Sequence, residues 1–511
     1  MSDSRLLQAL ARIEHLGNRL PPPTWLFVWL CGLVLAASAV AAASGWQAVW
    51  PDGSRTVSAV NLLSADGLRR ILGETVSNFT QFAPVGTVLV AMLGLGLAER
   101  SGLLGAALAR LVRLSGRRSL PAVVAFAGVM SSIAADAGYV VVIPLAGLLF
   151  QRAGLPPLAG IACAFAGVSG GFSANLLIGP VDALLAGIAS EALRTLDADA
   201  HVAVTANYYF MAVSVVLVTG VVTLVHHTLI LPYLQRQPAA TQATVDGSPA
   251  HGETAAGSSA ADALVPLHRG GLRAVGLWTL LVLAVIALTL LPADASLRGD
   301  DGSLIRSPWI SGIVVLVAVW SGVAGILYAR VSGLWTRSSD AVSALEDTLR
   351  SLASYLVLMF FAAQFVAYFQ WSQIGQLIAL DGALGLRELA WSPVALLLLF
   401  VLLTVALDLL IGSASAKWAL MAPVFIPMFV LVGIPADATL AAYRVGDSVA
   451  NIITPLMPYF AMVVAFAQRH QPSAGIGTLM ALMLPYSLAL LLGWGTLLGV
   501  WLAAGWPLGP G

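Results

Sequence analysis

Six ionisable side chains lie inside long apolar stretches of the sequence, where each needs a partner, a proton or water. They are Asp136, Asp182, Asp408, Lys417, Arg444 and Asp447. A charge in the apolar interior of a membrane is costly, and such residues mark the paths of ions and polar solutes. Arg444 and Asp447 are three residues apart, which predicts one shared helix face and an ion pair. Asp182 has no basic neighbour in sequence, which makes it the better candidate for carrying a proton.

The residues around two of these charges repeat in the second half of the sequence. In each copy, a polar residue is followed three positions later by an aromatic residue, and five positions after that by proline. The copies are Asp136, Tyr139 and Pro144 in the first half and Ser415, Trp418 and Pro423 in the second. Lys417 stands beside Trp418 and is the only lysine of the chain.

A second pair of motifs follows these copies, at Ser173-Ala174-Asn175 and at Val449-Ala450-Asn451. Glycines precede each motif, and a proline follows it, at Pro180 in the first half and Pro455 in the second. Such interruptions unwind membrane helices and free carbonyl groups that bind ions or substrate. Two matched pairs in the same order predict an internal repeat of the kind found in secondary transporters.

The elements that hold these residues are predicted to be membrane helices. The chain of 511 residues is 59% hydrophobic and 10% charged, with a mean hydropathy of +0.89. A soluble protein carries about 25% charged residues, and about 20 apolar residues span a bilayer, so there is room for about ten crossings. Basic and acidic residues are equal in number, 25 each, which argues against a nucleic-acid partner. The two cysteines exclude a disulfide framework and a cysteine-based metal site.

Nine segments are predicted to cross the membrane. Two of them, 157–190 and 438–467, contain the Ala-Asn motifs and are predicted to be broken helices. The others are 25–44, 83–99, 207–230, 272–292, 309–329, 353–371 and 476–503. Two further apolar stretches, 119–151 and 391–433, are too long for one crossing and are interrupted by small and polar residues. Each is either two ordinary helices with a loop or a re-entrant hairpin whose tip lies within the membrane.

The charges of the loops favour the hairpins. Segment 100–118 carries five arginines and no acidic residue, which predicts a cytoplasmic location, whereas 191–206 carries three acidic residues and one arginine and is predicted to be external. These signs agree only if the hairpin 119–151 enters and leaves on one face. Alternation then inserts the hairpin 391–433 from the opposite side. It also makes the N-terminus cytoplasmic and the C-terminus external.

Segment 236–269 has the composition of a flexible linker and is predicted to be cytoplasmic. It separates an N-terminal half, 1–235, from a C-terminal half, 270–511, and each half holds one hairpin and one broken helix. The predicted fold is therefore an all-α polytopic membrane protein. It has about nine transmembrane helices, two oppositely inserted re-entrant hairpins and an inverted repeat.

Three segments closely resemble the AbgT family of aminobenzoyl-glutamate transporters, at 169–178, 413–418 and 443–459. The resemblance runs over essentially the whole chain. It implies nine spans with two opposed hairpins, and a homodimer in the bacterial inner membrane surrounded by lipid. Family members take up p-aminobenzoyl-glutamate or export sulfonamide drugs. The functional positions of the family map onto Asp182, Ser415, Trp418, Arg444, Asp447 and Pro455.

We therefore expect an ion-driven transporter of a small aromatic solute that carries carboxylates, with a substrate site formed by both halves. Trp418 is expected to stack on the aromatic ring, and Ser415 and Asn451 to hydrogen-bond the amide. Lys417 and Arg444 are expected to attract the carboxylates. No cofactor is expected. The coupling ion is either H⁺, carried by Asp136, Asp182 or Asp447, or Na⁺, held near Ser173 and Asn175; the residues leave this choice and the direction of transport open.

Two other classes of function compete with transport. Gly167-Val168-Ser169-Gly170 matches a short motif of intramembrane serine proteases, but such a nucleophile needs a buried base, and all seven histidines fall in loops or at the ends of spans. An ion channel is the other alternative, but it does not require two opposed hairpins with paired polar tips. Metalloprotease and phosphate-binding motifs are absent from the sequence, so neither metal-dependent proteolysis nor ATP-driven pumping is indicated.

Overall fold

The computed structural model describes most of the chain: residues 23–50, 55–113, 116–134, 138–236, 268–292, 295–298, 307–454, 457 and 459–510. Four features named above lie outside these described residues. They are Asp136, Pro455, the N-terminal segment 1–22 and nearly all of the linker, 237–267.

The described part of the N-terminal half is helical apart from one pair of short strands. Its helices are α1 (Pro23–Ala43), α2 (Ala65–Thr80), α3 (Ala83–Arg100), α4 (Leu103–Arg113), α5 (Leu120–Met130), α6 (Ile143–Arg152), α7 (Pro157–Gly170), α8 (Pro180–Leu193), α9 (Tyr208–Val225) and α10 (Leu231–Gln235). A 3₁₀ turn (Ser131–Ala134) and two π turns (Gly138–Val142 and His226–Ile230) adjoin them. Strand β1 (Gln47–Val49) pairs antiparallel with β2 (Thr56–Ser58), with Ala48 opposite Val57.

The described part of the C-terminal half is entirely helical. Its helices are α11 (Arg269–Leu290), α12 (Pro308–Ser311), α13 (Ile313–Val331), α14 (Ser338–Ser351), α15 (Ala353–Trp371), α16 (Ile374–Leu389), α17 (Pro393–Asp408), α18 (Ala414–Leu431), α19 (Ala436–Ala450), α20 (Phe460–His470) and α21 (Ile476–Ala503). The prediction of an all-α polytopic membrane protein is thus confirmed.

Eight described helical segments are long and apolar enough to cross a bilayer. They are Thr24–Ala43, Ala65–Arg100, Tyr208–Gln235, Arg269–Leu290, Ile313–Val331, Ala353–Trp371, Ala414–Leu431 and Ile476–Ala503. Seven of them contain or coincide with a span expected from the sequence, and the eighth belongs to the stretch 391–433. The segment that begins at Ala65 is longer than expected because α2 precedes α3. This helix starts after Ser64, whose hydroxyl accepts a hydrogen bond from the Gly67 amide at 3.1 Å, an N-cap that the sequence reading missed.

The two remaining predicted spans are each divided into two helices. Segment 157–190 consists of α7 and α8, which are separated at Gly171–Gly179, and segment 438–467 consists of α19 and α20, which are separated after Ala450. The stretch 119–151 is divided in the same way into α5 and α6. At 11 residues, α5 is about 16 Å long, roughly half the thickness of a bilayer core, so α5 alone is too short to cross a membrane.

The hairpins and the broken helices pack on one another across the two halves. Helices α5 and α6 both lie against α7, and α17 lies against α19. The two halves interlock because α18 packs on α8 and α19 contacts both α7 and α8. One continuous cluster of buried apolar residues runs through both halves around these contacts. This interlocking brings Ser132 and Tyr139 of the first hairpin and Gly412 and Ala414 of the second close to the two helix breaks.

Candidate functional site

A cavity of about 270 Å³ lies where the hairpin tips and the helix breaks meet. Each hairpin and each break contributes to its wall, and Met92 of α3 also lines it. The lining residues are Met92, Ser132, Tyr139, Phe172, Pro180, Val181, Gly412, Ala414, Asn451, Met457 and Tyr459. The wall is mostly apolar and aromatic with a few polar groups, the usual character of a small-molecule site.

Glycine and proline create the break in the first half. Helix α7 ends at Gly170, and a β-carbon on Gly171 would lie 2.5 Å from the carbonyl oxygen of Gly167, so no larger residue fits there. The chain re-enters helix α8 at Pro180, whose ring suits a first helical turn. The Asp182 carboxylate accepts the Gly179 amide at 2.7 Å, which caps the new helix. The break therefore places a buried carboxylate beside backbone groups that lie outside any helix.

Arg444 and Asp182 form a buried ion pair that joins the two halves. The guanidinium lies 2.5 Å from the Asp182 carboxylate and also donates to the Ser173 carbonyl at 3.1 Å. Asp182 accepts a further hydrogen bond from the Asn175 amide at 3.2 Å. The predicted pairing of Arg444 with Asp447 is therefore wrong, because the guanidinium reaches across to the first half instead of along its own helix.

Asp447 belongs to a second buried network, centred on Lys417. The Lys417 ammonium pairs with Asp408 and lies 2.8 Å from Asp447, and all three side chains are fully buried. Asn451 donates to the other oxygen of Asp447 at 3.3 Å. A buried charge that loses its partner is strongly destabilising, so this network fixes the second hairpin tip against α19.

Trp418 lies in the protein core. Its side chain is fully buried, its indole N–H donates to the Leu185 carbonyl at 3.0 Å, and its ring lies 4.4 Å from that of Tyr443. This conformation leaves neither face of the indole open to a solute, which departs from the expectation that Trp418 stacks on the substrate. The Ser415 hydroxyl is half-buried beside Ser413, at 3.3 Å. Asn451 lines the cavity.

Two tyrosines that the sequence reading did not select as site residues face the cavity. The rings of Tyr139 and Tyr459 are stacked at 4.4 Å with 14° between their planes, and both belong to the cavity wall. The repeat contained a signal for one of them, since Tyr139 occupies in the first copy the place of Trp418 in the second. From the sequence, only Trp418 and not Tyr139 is expected to contact the aromatic ring of the solute.

Ser169 is engaged in hydrogen bonds that do not fit a nucleophile. Its hydroxyl lies 2.9 Å from the Tyr139 hydroxyl and 3.3 Å from the sulfur of Met457. The one fully buried histidine in the described part of the chain, His226, is instead 3.2 Å from the Tyr486 hydroxyl. Ser169 thus holds Tyr139 in the wall of the cavity, and it does not form part of a proteolytic site.

Near Ser173, some of the oxygen atoms that could bind a cation are already hydrogen-bonded and others have no partner. The Ser173 carbonyl already accepts from Arg444, and the Asn175 amide donates to Asp182. The buried hydroxyls of Ser173 and Thr454 have no hydrogen-bond partner. Arg444 uses one lone pair of the Ser173 carbonyl oxygen, and the two hydroxyls remain as further oxygen groups, so the Na⁺ site near Ser173 and Asn175 stays a prediction.

Comparisons with known proteins agree with this architecture. A sequence model described as the "AbgT putative transporter family" matches residues 8–511. The p-aminobenzoyl-glutamate transport protein of Escherichia coli (strain K12) is 35% identical over 500 residues, which cover 98% of this chain and 95% of that protein.

Two solved structures share the fold of this chain. The YdaH transporter of Alcanivorax borkumensis, described as having an unusual topology, is 55% identical with a TM-score of 0.88, covering 96% of this chain and 100% of that one. MtrF of Neisseria gonorrhoeae, described among antimetabolite efflux pumps, is 40% identical with a TM-score of 0.86, covering 96% and 97%. The matched residues, the fold and the interlocked hairpins together show that this chain belongs to the AbgT family and is a multi-pass membrane transporter, not an enzyme.

Proposed function

We propose that the chain is a secondary active transporter, driven by an ion gradient, of aromatic amides that carry carboxylates. The substrate class is p-aminobenzoyl-glutamate and its sulfonamide-like antimetabolite analogues. The cavity shared by both hairpin tips and both helix breaks carries this proposal, because it is formed by elements of each half. A site built from two repeats can open to alternate sides when one repeat moves against the other. The names of the Escherichia coli relative and of the efflux pump support the substrate class.

The aromatic ring of the solute is proposed to lie against the tyrosine pair, next to Phe172. Asn451 faces the same space and can hydrogen-bond the amide. Ser415 lies one residue beyond Ala414, which lines the cavity, and is proposed to contact the solute when the tip moves. Lys417 and Arg444 remain proposed attractors of carboxylates in such a rearranged state, because here both are held in buried ion pairs. Asp182 is proposed to act on binding by fixing the first helix break, and Asp447 and Trp418 by holding the second hairpin in place. Pro455 is retained from the family resemblance.

Tyr459→Ala should weaken binding of radiolabelled p-aminobenzoyl-glutamate to the purified protein by about 1–2 kcal/mol, since it removes a ring from the stack. Tyr459→Phe keeps the ring and should bind nearly as the wild type does. Binding is measured in detergent by scintillation proximity. If the alanine variant is folded and binds with wild-type affinity, the ring of the solute does not lie against this pair.

The chain is further proposed to lie in the bacterial inner membrane as a homodimer, with its N-terminus cytoplasmic and its C-terminus external. The family resemblance supports the dimer and the location, and the arginine-rich segment 100–118 supports the orientation. The outward leucines of α11, including Leu277 and Leu288, are exposed and are proposed to contact lipid. The halves 1–235 and 270–511 are proposed as the moving repeats, joined through the linker 236–269.

Cysteine labelling tests the orientation. Arg117 and Ala198 are both exposed, so a cysteine at either position can react. In intact cells, a membrane-impermeant maleimide should label Ala198→Cys but not Arg117→Cys, and inverted vesicles should show the reverse. The wild type, whose Cys163 is buried and whose Cys31 is part-buried, provides the background. Labelling of both variants from one side contradicts the opposed insertion of the hairpins.

A further inference from the structure

The Lys417 network contains one more acid than base. Asp408 and Asp447 share a single ammonium, and all three side chains have no exposed surface. With every group ionised, the network carries one net negative charge inside the protein. The Arg444 and Asp182 pair, by comparison, has one charge of each sign. Because uncompensated charge is unfavourable in a buried site, the Lys417 network needs one further positive charge.

Asp408 has a free position for that charge. Both oxygens of Asp447 are engaged, one with Lys417 and with the Tyr443 hydroxyl at 3.4 Å, and the other with Asn451. Asp408 pairs with Lys417 through Oδ1, while its Oδ2 is buried without a hydrogen-bond partner. The buried oxygen without a hydrogen-bond partner is therefore Oδ2 of Asp408, and Asp408 has fewer partners than Asp447.

The helices packed on α17 supply no other balancing charge among the described residues. Those helices are α18, α19 and α21. Lys417 is the only charged side chain of α18, and α21 has none; its one tyrosine, Tyr486, bonds His226. On α19, Arg444 is engaged with Asp182, and Asp437 lies ten residues before Asp447, about 15 Å along the helix. The Tyr443 hydroxyl donates to the Ala414 carbonyl at 2.6 Å.

We infer that this network binds one proton, held on Oδ2 of Asp408, and that H⁺ is the coupling ion of transport. The proton comes from the aqueous phase and adds to the carboxylate to form a carboxylic acid, and no other bond forms or breaks. A proton fits better than Na⁺ because the ammonium already occupies the space between the two carboxylates that a metal ion would share. This assignment moves the coupling role from Asp182, which is fully paired, to Asp408.

The position of the network connects the proton to the movement of the tip. Asp408 ends α17, and the residues that follow it lead to Gly412 and Ala414 in the cavity wall. The Tyr443 hydroxyl donates to the Ala414 carbonyl at 2.6 Å and lies 3.4 Å from Asp447, so it connects the tip to the charged groups. A neutral network is compatible with the buried arrangement seen here. Loss of the proton leaves a net charge that favours a conformation in which the tip moves and water enters.

The inference rests on the proposed function. An assay in proteoliposomes distinguishes failure of the proton assignment from failure of transport itself. The probe is radiolabelled p-aminobenzoyl-glutamate. The measured accumulation ratio is the amount of solute accumulated with an imposed pH gradient divided by the amount accumulated without it. One proton per solute allows about tenfold accumulation for a gradient of one pH unit. Wild type and Asp408→Glu, which keeps an ionisable carboxyl, should show a ratio well above one in one orientation of the gradient. Asp408→Asn should give a ratio near one.

Solute exchange across the membrane without any gradient tests transport itself. If wild-type proteoliposomes show no exchange, the proposed function fails. If exchange occurs but Asp408→Asn keeps the wild-type accumulation ratio, or if a Na⁺ gradient alone drives wild-type accumulation, the proton assignment is overturned. Infrared spectroscopy of the wild type gives a measurement that does not depend on whether the asparagine variant folds. A buried protonated carboxyl should be present at neutral pH and should shift in Asp408→Glu, and its absence from the wild type also overturns the inference.

Discussion

Replacing Arg444 with methionine should destabilise the purified protein by about 3–5 kcal/mol, because it leaves a carboxylate buried without its cation. Asp182 is 6% exposed and would keep only the hydrogen bonds from the Gly179 and Asn175 nitrogens. The effect is measured as the change in the free energy of unfolding in a reversible denaturant titration in detergent.

The double variant Arg444→Met/Asp182→Asn removes both charges, and its asparagine oxygen can still accept the Gly179 amide. It should recover more than half of the lost stability, since neutral side chains can replace a buried pair at little cost. Arg194→Met is the matched control, because Arg194 pairs with Glu191 near the surface and should change stability by about 1 kcal/mol or less. A double variant as unstable as the sum of the single variants would show that the two residues do not act as a pair.

Trp418→Ala should cost about 3–5 kcal/mol of stability, the range for removing a fully buried large aromatic side chain. The substitution leaves a cavity against Tyr443 and an unpaired Leu185 carbonyl. Trp418→Phe keeps an aromatic ring and loses the N–H donor, so it should cost roughly 1–3 kcal/mol. Both are compared with the wild type in thermal and denaturant unfolding in detergent.

The same variants separate a core role from direct contact with the solute. Trp391 is 50% exposed, so Trp391→Ala is the control for loss of an indole without loss of core packing. In the folded fraction of Trp418→Phe, the affinity for p-aminobenzoyl-glutamate should be close to that of the wild type. A stable Trp418→Ala protein with greatly weakened affinity would restore the original expectation that this ring stacks on the substrate.

The ion pairs show where local sequence patterns stop being informative. Arg444 and Asp447 are three residues apart, which allows a pair on one helix face but does not require it. Arg444 instead pairs with an acid 262 residues away. Asp447 pairs with Lys417, which belongs to the hairpin packed beside it. The choice between partners depends on which groups are buried together, and helix packing sets this.

The aromatic residues show a similar limit. The matched spacing relates Tyr139 to Trp418, because both follow a polar residue by three positions. It did not show which ring faces the cavity, since the repeats meet other elements. Trp418 lies on α18, which packs into α8, whereas Tyr139 lies beside Tyr459 at the cavity. Two sequences with the same local pattern thus have different surroundings.

The sequence by itself determined that the chain is an all-helical membrane protein, where most of its spans lie, and where two of them are interrupted. These features depend on local physics: the length of apolar runs sets a crossing, and Gly, Asn and Pro close together in sequence weaken a regular helix. It also determined that the buried charges need partners, because an isolated charge is too costly in the membrane interior. Only the tertiary structure decided which charges pair, which aromatic rings line the cavity, and that one network holds an excess acid. Those outcomes depend on distances between segments far apart in the chain, which packing across the two halves sets.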